Sequence, residues 1–418
     1  MIEIKPLENI DASVSIPGSK SFTHRILIAS ALSDGICSIA NMLKSEDTLL
    51  TLSTLRQMGV NAEEENEKLI IHGTNGILKS PEKEIHLGNS GTSMRLMAAV
   101  AALGNGPAIL TGTERMQERP IGELLDGLKQ MGISAKSINN NGCPPIEITG
   151  KKIKGGAVNL KCGISSQYLS ALLLIAPYCQ DNLEINVIQG PVSKPYIDMT
   201  IDIMNKFGID VKRQGYEKFH VQGKQVYKSG AYTVEPDASN AGYFWAAAAI
   251  TGGTVKVKDI SLDSCQGDLA LLKCFENMGC KVERKKDGII LSGAPLTAID
   301  VDMADIPDMV PTLGVVAAFA KGTTIIRNVA HLRAKECDRL SAVATELTKM
   351  GIDARCTDDE LFIKGGNPKG AEIETYDDHR IAMCFAVAGL KVPGVFIKGE
   401  QCVNKSFPNF WEVFKQLY

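Results

Sequence analysis

The feature that most constrains how this chain of 418 residues can fold is an internal repeat of about 70 residues. Each copy is marked by a Met-Gly or Phe-Gly pair at the end of an amphipathic helix pattern, and two short alternating strand patterns follow. The marker recurs at intervals of 71 to 76 residues, at Gly59, Gly132, Gly208, Gly279 and Gly351. We therefore predict six copies of one structural unit, the sixth of which is shortened near Tyr418.

The fourth copy shows the order of elements within a repeat. A nearly all-apolar helix pattern begins at Tyr243, a strand at Thr254, an amphipathic helix at Asp268, and two further strands at Lys281 and Gly288. Helices that are apolar on all sides are buried, whereas alternating strands leave one face of a sheet in solvent. The sequence therefore predicts an α/β protein in which βαβαββ repeats surround buried helices.

Six repeats favour two domains of three repeats each. The seam is expected near residues 234–237, where the third copy ends in a proline-containing turn. The N-terminal strand, within residues 1–16, can complete a sheet of the other domain. We therefore expect one domain made of residues 1–19 and 234–418 and a second made of residues 20–233. The chain would cross between them twice, which predicts a hinge there and an active site in the cleft between the domains.

The composition excludes several classes of function. The formal net charge of −3 predicts no nucleic-acid partner, and no apolar run approaches the roughly 20 residues of a membrane span. The N-terminus has no signal-peptide pattern. Eleven cysteines without a CxxC pair indicate reduced thiols, and six histidines without an HxxxH pattern argue against a metal site. We expect a cytoplasmic monomer that uses no metal and does not bind membranes.

Polar, turn-forming residues stand where each buried helix is expected to begin. These clusters lie at residues 17–21, 88–92, 163–167, 236–239, 306–308 and 377–380. Serine, asparagine and aspartate there are typical helix caps, but a cation at a helix N-terminus is at the unfavourable end of the dipole. Lys20 and Arg380 therefore indicate an anionic ligand that binds between these side chains and the backbone N–H groups. Neither GxxxxGK[ST] nor GxGxxG is present, so no nucleotide cofactor is expected.

The densest group of charges lies at residues 331–339, directly before an apolar helix pattern. If this segment is helical, Lys335 and Arg339 share one face, four residues apart, with Glu336 beside them. Such a face offers two cations for an anion and one carboxylate that can transfer a proton. The alternative interpretation is a solvent-exposed set of ion pairs with no special role.

Nine motifs, in the same order along the chain, resemble those of the EPSP synthase family, the 3-phosphoshikimate 1-carboxyvinyltransferases. They are IPGSKSFTHR (16–25), LGNSGTSMR (87–95), ERPIGELLDGL (118–128), SSQYLSALLL (165–174), SKPYIDMT (193–200), IPDMVPT (306–312), LRAKECDRL (332–340), DDHRIAM (377–383) and KSFPNF (405–410). The resemblance implies the enolpyruvyl transferase fold, an inside-out α/β barrel with three βαβαββ repeats around buried parallel helices in each of two domains.

The resemblance also implies the reaction. The enolpyruvyl group of phosphoenolpyruvate passes to the 5-hydroxyl of shikimate 3-phosphate and phosphate leaves, with no cofactor or metal. The implied catalytic residues are Asp308 as base at the hydroxyl, Glu336 as acid and base at the methylene carbon, and Lys20. The implied phosphoenolpyruvate ligands are Lys20, Asn89, Gly91, Arg119, Gln167, Arg339, Arg380 and Lys405. The implied shikimate 3-phosphate ligands are Lys20, Ser21, Arg25, Ser165, Ser166, Gln167, Ser193, Tyr196, Asp308, His331 and Lys335.

Individual residues carry further expectations. His331 stands where the family usually has asparagine, so its charge could make acceptor binding pH-dependent near its pKa. Gly91 is the residue that leaves room for the inhibitor glyphosate in this family, so we expect a sensitive enzyme. Four other histidines are interpreted as surface or capping residues, namely His24, His72, His86 and His220.

Three alternatives predict other residues. A UDP-N-acetylglucosamine enolpyruvyl transferase has the same fold but would carry asparagine at the position of Ser21 and a reactive cysteine at that of Glu114. An RNA 3′-phosphate cyclase shares the repeat but requires a nucleotidylated histidine and a more basic surface. A non-catalytic anion-binding relative should have lost Asp308, Glu336 or Lys20, and all three are present.

Overall fold

The computed structural model describes residues 1–261 and 263–418, and the chain divides into two compact domains. The discontinuous domain contains Met1–Pro17 and Glu235–Tyr418, and the continuous domain contains Gly18–Val234. These boundaries lie within two residues of those expected from the repeat. No helix in the described part of the chain is both long and apolar enough to cross a bilayer.

The chain opens with two short strands, β1 (Ile2–Ile4) and β2 (Asp11–Val14), and continues into the first three repeats. The helices of the continuous domain are α1 (Lys20–Leu32), α2 (Glu46–Gln57), α3 (Gly91–Ala101), α4 (Gly122–Gln130), α5 (Gln167–Ile175) and α6 (Pro195–Lys206). Its strands are β3 (Ile36–Ala40), β4 (Asn61–Glu65), β5 (Lys68–His72), β6 (Ile85–His86), β7 (Pro107–Thr111), β8 (Ser134–Ser137), β9 (Ile146–Thr149), β10 (Gly156–Lys161), β11 (Leu183–Gln189), β12 (Val211–Gln214), β13 (Lys218–Val221) and β14 (Ala231–Thr233).

The fourth to sixth repeats belong to the discontinuous domain. Their helices are α7 (Ala238–Thr251), α8 (Leu271–Asn277), α9 (Val310–Ala317), α10 (Arg339–Lys349), α11 (His379–Gly389) and α12 (Phe410–Phe414). Their strands are β15 (Thr254–Lys258), β16 (Lys281–Lys285), β17 (Gly288–Ser292), β18 (Asp300–Asp302), β19 (Thr323–Arg327), β20 (Asp353–Cys356), β21 (Leu361–Lys364), β22 (Glu372–Ile373) and β23 (Val395–Ile397).

The described strands form six open sheets, built on one plan. In each four-stranded sheet, the strand after the buried helix pairs in parallel with a strand from outside its own hairpin, as β7 does with β6, and antiparallel with the last strand of its repeat, as β7 does with β9. Parallel pairing needs a crossover, and the helices of the repeats supply it. The predicted mixed α/β fold of six repeats is therefore confirmed.

The N-terminal strands complete two sheets of the discontinuous domain. Strand β2 pairs in parallel with β15, with Asp11 opposite Thr254, and β1 pairs antiparallel with β23. Ile4 and Val14 point into the core formed by α7, α9 and α11. The sixth repeat lacks the final strand pair of the other five, and its sheet has the order β1-β23-β22.

Hydrogen bonds show that the buried helices of the continuous domain run parallel. Helices α1, α3 and α5 contact one another, and Arg95 in the first turns of α3 donates to Gln167, the first residue of α5, at 2.9 Å. Thr51 of α2 joins His24 of α1 (2.8 Å) to Ser93 of α3 (2.9 Å). His24 is fully buried, so its interpretation as a surface or capping residue is wrong. The hydroxyl of Thr51 pairs with its Nδ1, which offsets part of the cost of burying the imidazole.

Candidate active site

A cluster of charges surrounds Asp308 in the discontinuous domain. Its Oδ1 accepts from Nη1 of Arg339 at 2.9 Å, and its Oδ2 accepts from Nη2 of Arg380 at 2.7 Å. The Nζ of Lys335 lies 3.5 Å from Oδ1. Burial alone would raise the pKa of Asp308, but Arg380, Lys335 and Arg339 together lower it well below the usual value. The carboxylate is therefore ionised throughout the neutral range.

Arg339 is the hub of this cluster. Only 1% of its side chain is exposed, and its Nη2 donates to Oε2 of Glu336 at 2.8 Å. Its Nε and Nη2 also donate to the two oxygens of Asp378, at 2.7 and 3.2 Å. A buried guanidinium with three carboxylate partners is rigidly held, and its planar fork matches an anionic substrate group.

Three helix starts bring these side chains together. Asp308 lies in a 3₁₀ helix, Pro307–Met309, directly before α9. Arg339 is the first residue of α10, and Arg380 is the second of α11. Asp378 caps α11 by accepting from the backbone N–H of Arg380 at 2.9 Å, so one carboxylate fixes both the helix and Arg339. The site therefore combines side-chain cations with the N-terminal ends of helices, which favour anions.

The expected helix through residues 331–339 is wrong. A 3₁₀ helix ends at Ala334, and α10 begins only at Arg339, with Asp338 as its cap. Lys335 and Glu336 therefore lie on a non-helical link and do not share a helical face with Arg339. They meet Asp308 and Arg339 because the link turns back towards α9 and α10.

His331 is buried beside this cluster. It is 8% exposed, and no hydrogen-bond partner of its Nε2 is found among the described residues. Burial first, and then the charge of Lys335, lower the pKa of His331 to about 4. The ring is therefore neutral near pH 7, and one nitrogen is available as a donor or acceptor for a ligand.

Two further buried charged groups, Lys405 and Asp268, are tied to the start of α7. Lys405 is 6% exposed, and the carbonyl of its neighbour Ser406 accepts from Asn240 in the first turn of α7 at 3.4 Å. Asp268 accepts a hydrogen bond from Ser239, which also lies in that turn. Burial, and then the nearby charge of Asp308, raise the pKa of Asp268 to about 6.

In the continuous domain, a second cationic group surrounds the start of α3. Nη1 of Arg119 donates to the carbonyl oxygen of Asn89 at 2.9 Å and to its Oδ1 at 3.1 Å. Arg119 is 3% exposed, and a Cβ added to Gly91 would lie 2.6 Å from its Nη2. Gly91 is therefore required for the guanidinium to approach the backbone at the helix start.

Gln167 and Lys20 are fixed by neighbouring side chains. Gln167 accepts from Arg95 and donates through Nε2 to the hydroxyl of Thr92 at 3.0 Å, so its amide orientation is set by two partners. Lys20, the first residue of α1, donates to Oδ2 of Asp47 at 3.0 Å. The sequence did not single out Asp47 or Asp378 as partners, because each lies far along the chain from its cation: Asp47 is on α2 of the same repeat as Lys20, and Asp378 belongs to the repeat after that of Arg339.

The expected acceptor ligands of this domain lie on α1, α5 and α6. Arg25 is 2% exposed, and its guanidinium donates to the carbonyls of Ser21 (2.8 Å) and Tyr196 (3.0 Å) and to the hydroxyl of Thr200 (2.8 Å). Its position is thus fixed by two helices. The three remaining serines lie just before the helix starts: Ser165 and Ser166 precede α5, and Ser193 precedes α6.

The expected ligands are divided between the two domains. The continuous domain holds Lys20, Ser21, Arg25, Asn89, Gly91, Arg119, Ser165, Ser166, Gln167, Ser193 and Tyr196, and the discontinuous domain holds Asp308, His331, Lys335, Glu336, Arg339, Arg380 and Lys405. Within the described residues, no group of three or more His, Cys, Asp or Glu side chains is arranged to hold a metal ion.

Comparison with solved structures identifies the class of fold. The enolpyruvyl transferase NikO from Streptomyces tendae superposes with a TM-score of 0.79 over 99% of this chain and 96% of its own, at 18% identity. An EPSP synthase from Acinetobacter baumannii superposes with a TM-score of 0.82 over 99% of this chain and 97% of its own, at 30% identity. The chain therefore has the fold of the enolpyruvyl transferases.

Sequence comparison identifies the family within this class. A 3-phosphoshikimate 1-carboxyvinyltransferase from Sulfurovum sp. (strain NBC37-1) is 43% identical over 421 residues, covering 100% of this chain and 99% of the relative. One from Nostoc punctiforme is 43% identical over 420 residues, again covering 100% and 99%. The sequence model of EPSP synthase (3-phosphoshikimate 1-carboxyvinyltransferase) matches residues 4–414. The chain belongs to the EPSP synthase family.

Proposed function

We propose that this chain transfers the enolpyruvyl group of phosphoenolpyruvate to the 5-hydroxyl of shikimate 3-phosphate and releases phosphate, a step of aromatic amino acid biosynthesis. Family membership over nearly the whole chain supports the reaction. The observation that carries it to particular residues is the cluster at Asp308, in which a carboxylate, two arginines and a lysine meet beside Glu336.

Phosphoenolpyruvate carries a phosphate and a carboxylate on a three-carbon frame, so its ligands must be dense in cations. In this proposal Arg339, Arg380 and Lys405 bind it from the discontinuous domain, and the continuous domain contributes Lys20, Asn89, Gly91, Arg119 and Gln167. The arginines suit bidentate capture of either anionic group. Cations at the phosphate also stabilise the charge that develops as it leaves.

Shikimate 3-phosphate is larger and carries one phosphate and one carboxylate. In this proposal Ser21 and Arg25 bind its carboxylate, and Ser165, Ser166, Ser193 and Lys335 bind its phosphate. Lys20 and Gln167 contact both substrates, Tyr196 lies against the ring, and His331 donates to a polar group from its uncommitted Nε2.

The proposed chemistry needs two proton carriers. In the addition step, Asp308 accepts the proton of the 5-hydroxyl, and the hydroxyl oxygen attacks C2 of phosphoenolpyruvate. Glu336 gives a proton to the methylene carbon. In the elimination step, Glu336 takes a proton back from the new methyl group, the double bond re-forms and the C–O bond to phosphate breaks. Phosphate leaves with that electron pair and takes up the proton that Asp308 removed from the hydroxyl. Lys20 assists in the addition or the elimination step.

The ion pairs of Asp308 explain how it can act as a base although its pKa is low. Arg339 and Arg380 now donate to Asp308. When the anionic groups of phosphoenolpyruvate bind the same guanidinium groups, Arg339 and Arg380 stabilise the Asp308 carboxylate less. The pKa of Asp308 therefore rises. Substrate binding thus increases the basicity of the carboxylate at the point where it is required.

The decisive experiment measures phosphate release from phosphoenolpyruvate with shikimate 3-phosphate as acceptor. We expect Glu336→Gln to lower turnover by about 10² to 10⁴, while calorimetry still detects binding of both substrates, because glutamine retains an oxygen that can accept from Arg339. Glu64→Gln is the matched control: Glu64 pairs with Lys44 and is exposed, so turnover should not change. Turnover only with UDP-N-acetylglucosamine would contradict the proposal.

The domain boundaries also bear on this proposal, because its ligands come from both domains. The expected hinge at the two chain crossings stays a prediction, as do the monomeric state and the cytoplasmic location.

A further inference from the structure

Glu346 is a buried carboxylate that the proposed reaction does not use. It lies in the last turns of α10, the helix that begins at Arg339, and its side chain is fully buried. An ionised carboxylate is costly to bury unless several donors satisfy it. Because Glu346 lies on the same helix as Arg339, its partners show which segments are fixed relative to Arg339.

Two of the donors to Glu346 come from the segment that leads into α11. The hydroxyl of Tyr376 donates to Oε1 at 2.6 Å, and the backbone N–H of Glu374 donates to Oε2 at 3.2 Å. Lys349, one turn further along α10, donates to both oxygens at 2.8 Å. Glu346 therefore ties the end of α10 to the chain that precedes the N-terminus of α11.

The tied segment is conformationally strained. Tyr376 and Asp377 are consecutive non-glycine residues with φ of 53° each, in the left-handed region that such residues rarely occupy. A conformation of this kind persists only where surrounding contacts enforce it. The bonds from Tyr376 and Glu374 to Glu346 supply such contacts immediately before the helix cap Asp378.

A second tie between the same two elements lies in the site itself. Asp378 accepts from Arg339 at the first residue of α10 and from the backbone N–H of Arg380. Helix α10 is thus connected to the start of α11 at both of its ends, by Arg339 and by Glu346. The spacing of these two ties sets where Arg380 stands relative to Arg339.

We propose that Glu346 and Tyr376 are positioning residues, whose hydrogen bond holds the segment Glu374–Asp378 so that Arg380 and Arg339 converge on one anion. The inference rests on the proposed function, in which these two arginines bind phosphoenolpyruvate. It assigns to this pair a selective effect on the enol substrate, since neither residue touches a proposed ligand of shikimate 3-phosphate in the continuous domain.

The test uses Tyr376→Phe, which removes one hydroxyl from a side chain that is 37% exposed and so should not disturb packing. We expect the KM for phosphoenolpyruvate to rise roughly fivefold, which matches the loss of one typical hydrogen bond. The KM for shikimate 3-phosphate should change less than about twofold. Tyr418→Phe is the matched control: its exposed hydroxyl donates to the carbonyl of Lys5, remote in sequence from both ties, and neither KM should change.

A second variant and a second measurement keep the test decisive. Glu346→Gln keeps an acceptor for Tyr376 but loses the charge, so it should raise the same KM. A merely structural role would lower the active fraction and leave both KM values unchanged, which would overturn the proposal.

Hydrogen exchange tests the same contact without turnover. Backbone amides of residues 376–380 should exchange faster in Tyr376→Phe than in the wild type. Unchanged exchange there would also overturn the proposal, whereas a wild type without turnover would count against the proposed function instead.

Discussion

Asp308 shares its carboxylate among three cations that the proposed reaction requires for its substrates. With Glu336 and Asp378 also bonded to Arg339, the carboxylates of the site nearly balance the charge of its cations. Such a balance lowers the cost of burying Arg339. In the proposed reaction, the anionic groups of the substrates therefore replace protein carboxylates at these cations.

Gly91→Ala tests the close approach of Arg119 to the start of α3. The new Cβ would lie 2.6 Å from Nη2 and 2.8 Å from Cζ of Arg119, so the buried guanidinium must move. We expect the KM for phosphoenolpyruvate to rise roughly tenfold, the loss of about one charge-assisted hydrogen bond, with a smaller change for shikimate 3-phosphate. Inhibition by glyphosate should weaken in parallel, from a sensitive wild type.

The control for this variant is Gly122→Ala. A Cβ there meets nothing closer than 3.6 Å, and alanine is a better helix former than glycine, so both KM values should stay unchanged. Equal kinetics of Gly91→Ala and wild type would show that Arg119 does not contact the enol substrate.

His331→Asn tests the effect of burying a neutral imidazole. The pKa of His331 falls from 6.5 to about 4 in the folded state, so its contribution to stability is complete above pH 6.5 and is lost as pH falls towards 4. At pH 5 the unfolded chain gains about 2 kcal/mol from protonating this histidine. The variant should therefore lose less unfolding free energy than wild type between pH 7.5 and pH 5, as measured by urea denaturation.

His72→Asn, at an exposed histidine, serves as the comparison and should follow the wild-type profile. Between pH 6.5 and 8 the KM for shikimate 3-phosphate should also show no titration of His331. A wild-type profile as flat as that of His331→Asn would mean that His331 is not buried in its neutral form.

At the scale of elements, the repeat predicted the buried helices well because their apolar residues leave no alternative to burial. The starts of α7 and α11 follow the polar clusters that the sequence marked. Residues 331–339 were predicted less well. Their charges fit a helical face, but Asp338 followed by Ser341 is a cap pattern, and that signal could have placed the start of α10 at Arg339.

The residue types of the site could be predicted from sequence, but their partners could not. The cations of the site stand in recognisable motifs, but their partners lie far along the chain. Asp47, the partner of Lys20, is on the second helix of the same repeat, and Asp378, a partner of Arg339, belongs to the next repeat. A single sequence does not show which elements or repeats lie next to one another in the folded chain. The same reason hid the tie between Glu346 and Tyr376, whose two residues lie in different repeats.

At the scale of the whole molecule, the discontinuous domain depends on the first 17 residues. Strands β1 and β2 each close the edge of a sheet, and Ile4 and Val14 are buried in its core. Without them β15 and β23 would expose unpaired backbone groups and apolar side chains, which promotes aggregation. The continuous domain, by contrast, is one uninterrupted segment.

Separate expression of the parts tests this dependence. We expect residues 18–234 to fold alone and unfold cooperatively in urea, and residues 235–418 alone to aggregate. A chain that joins residues 1–17 to 235–418 through a short Gly-Ser linker should fold, because the carbonyl of Pro17 already accepts from the backbone N–H of Asp237 at 3.0 Å. Cooperative unfolding of residues 235–418 without the N-terminal segment would show that β1 and β2 are dispensable.

The pairing of β2 with β15 also governs the order of events during synthesis. The ribosome releases β2 first, yet its partner at Thr254 emerges only after more than two hundred further residues, roughly 20 seconds later at ordinary elongation rates. During that interval the whole continuous domain can fold, whereas β1 and β2 have no strand to pair with. Their short length, with charged residues at Glu3, Lys5 and Asp11 and a proline at position 6, suits a segment that must remain soluble until its place in a sheet exists.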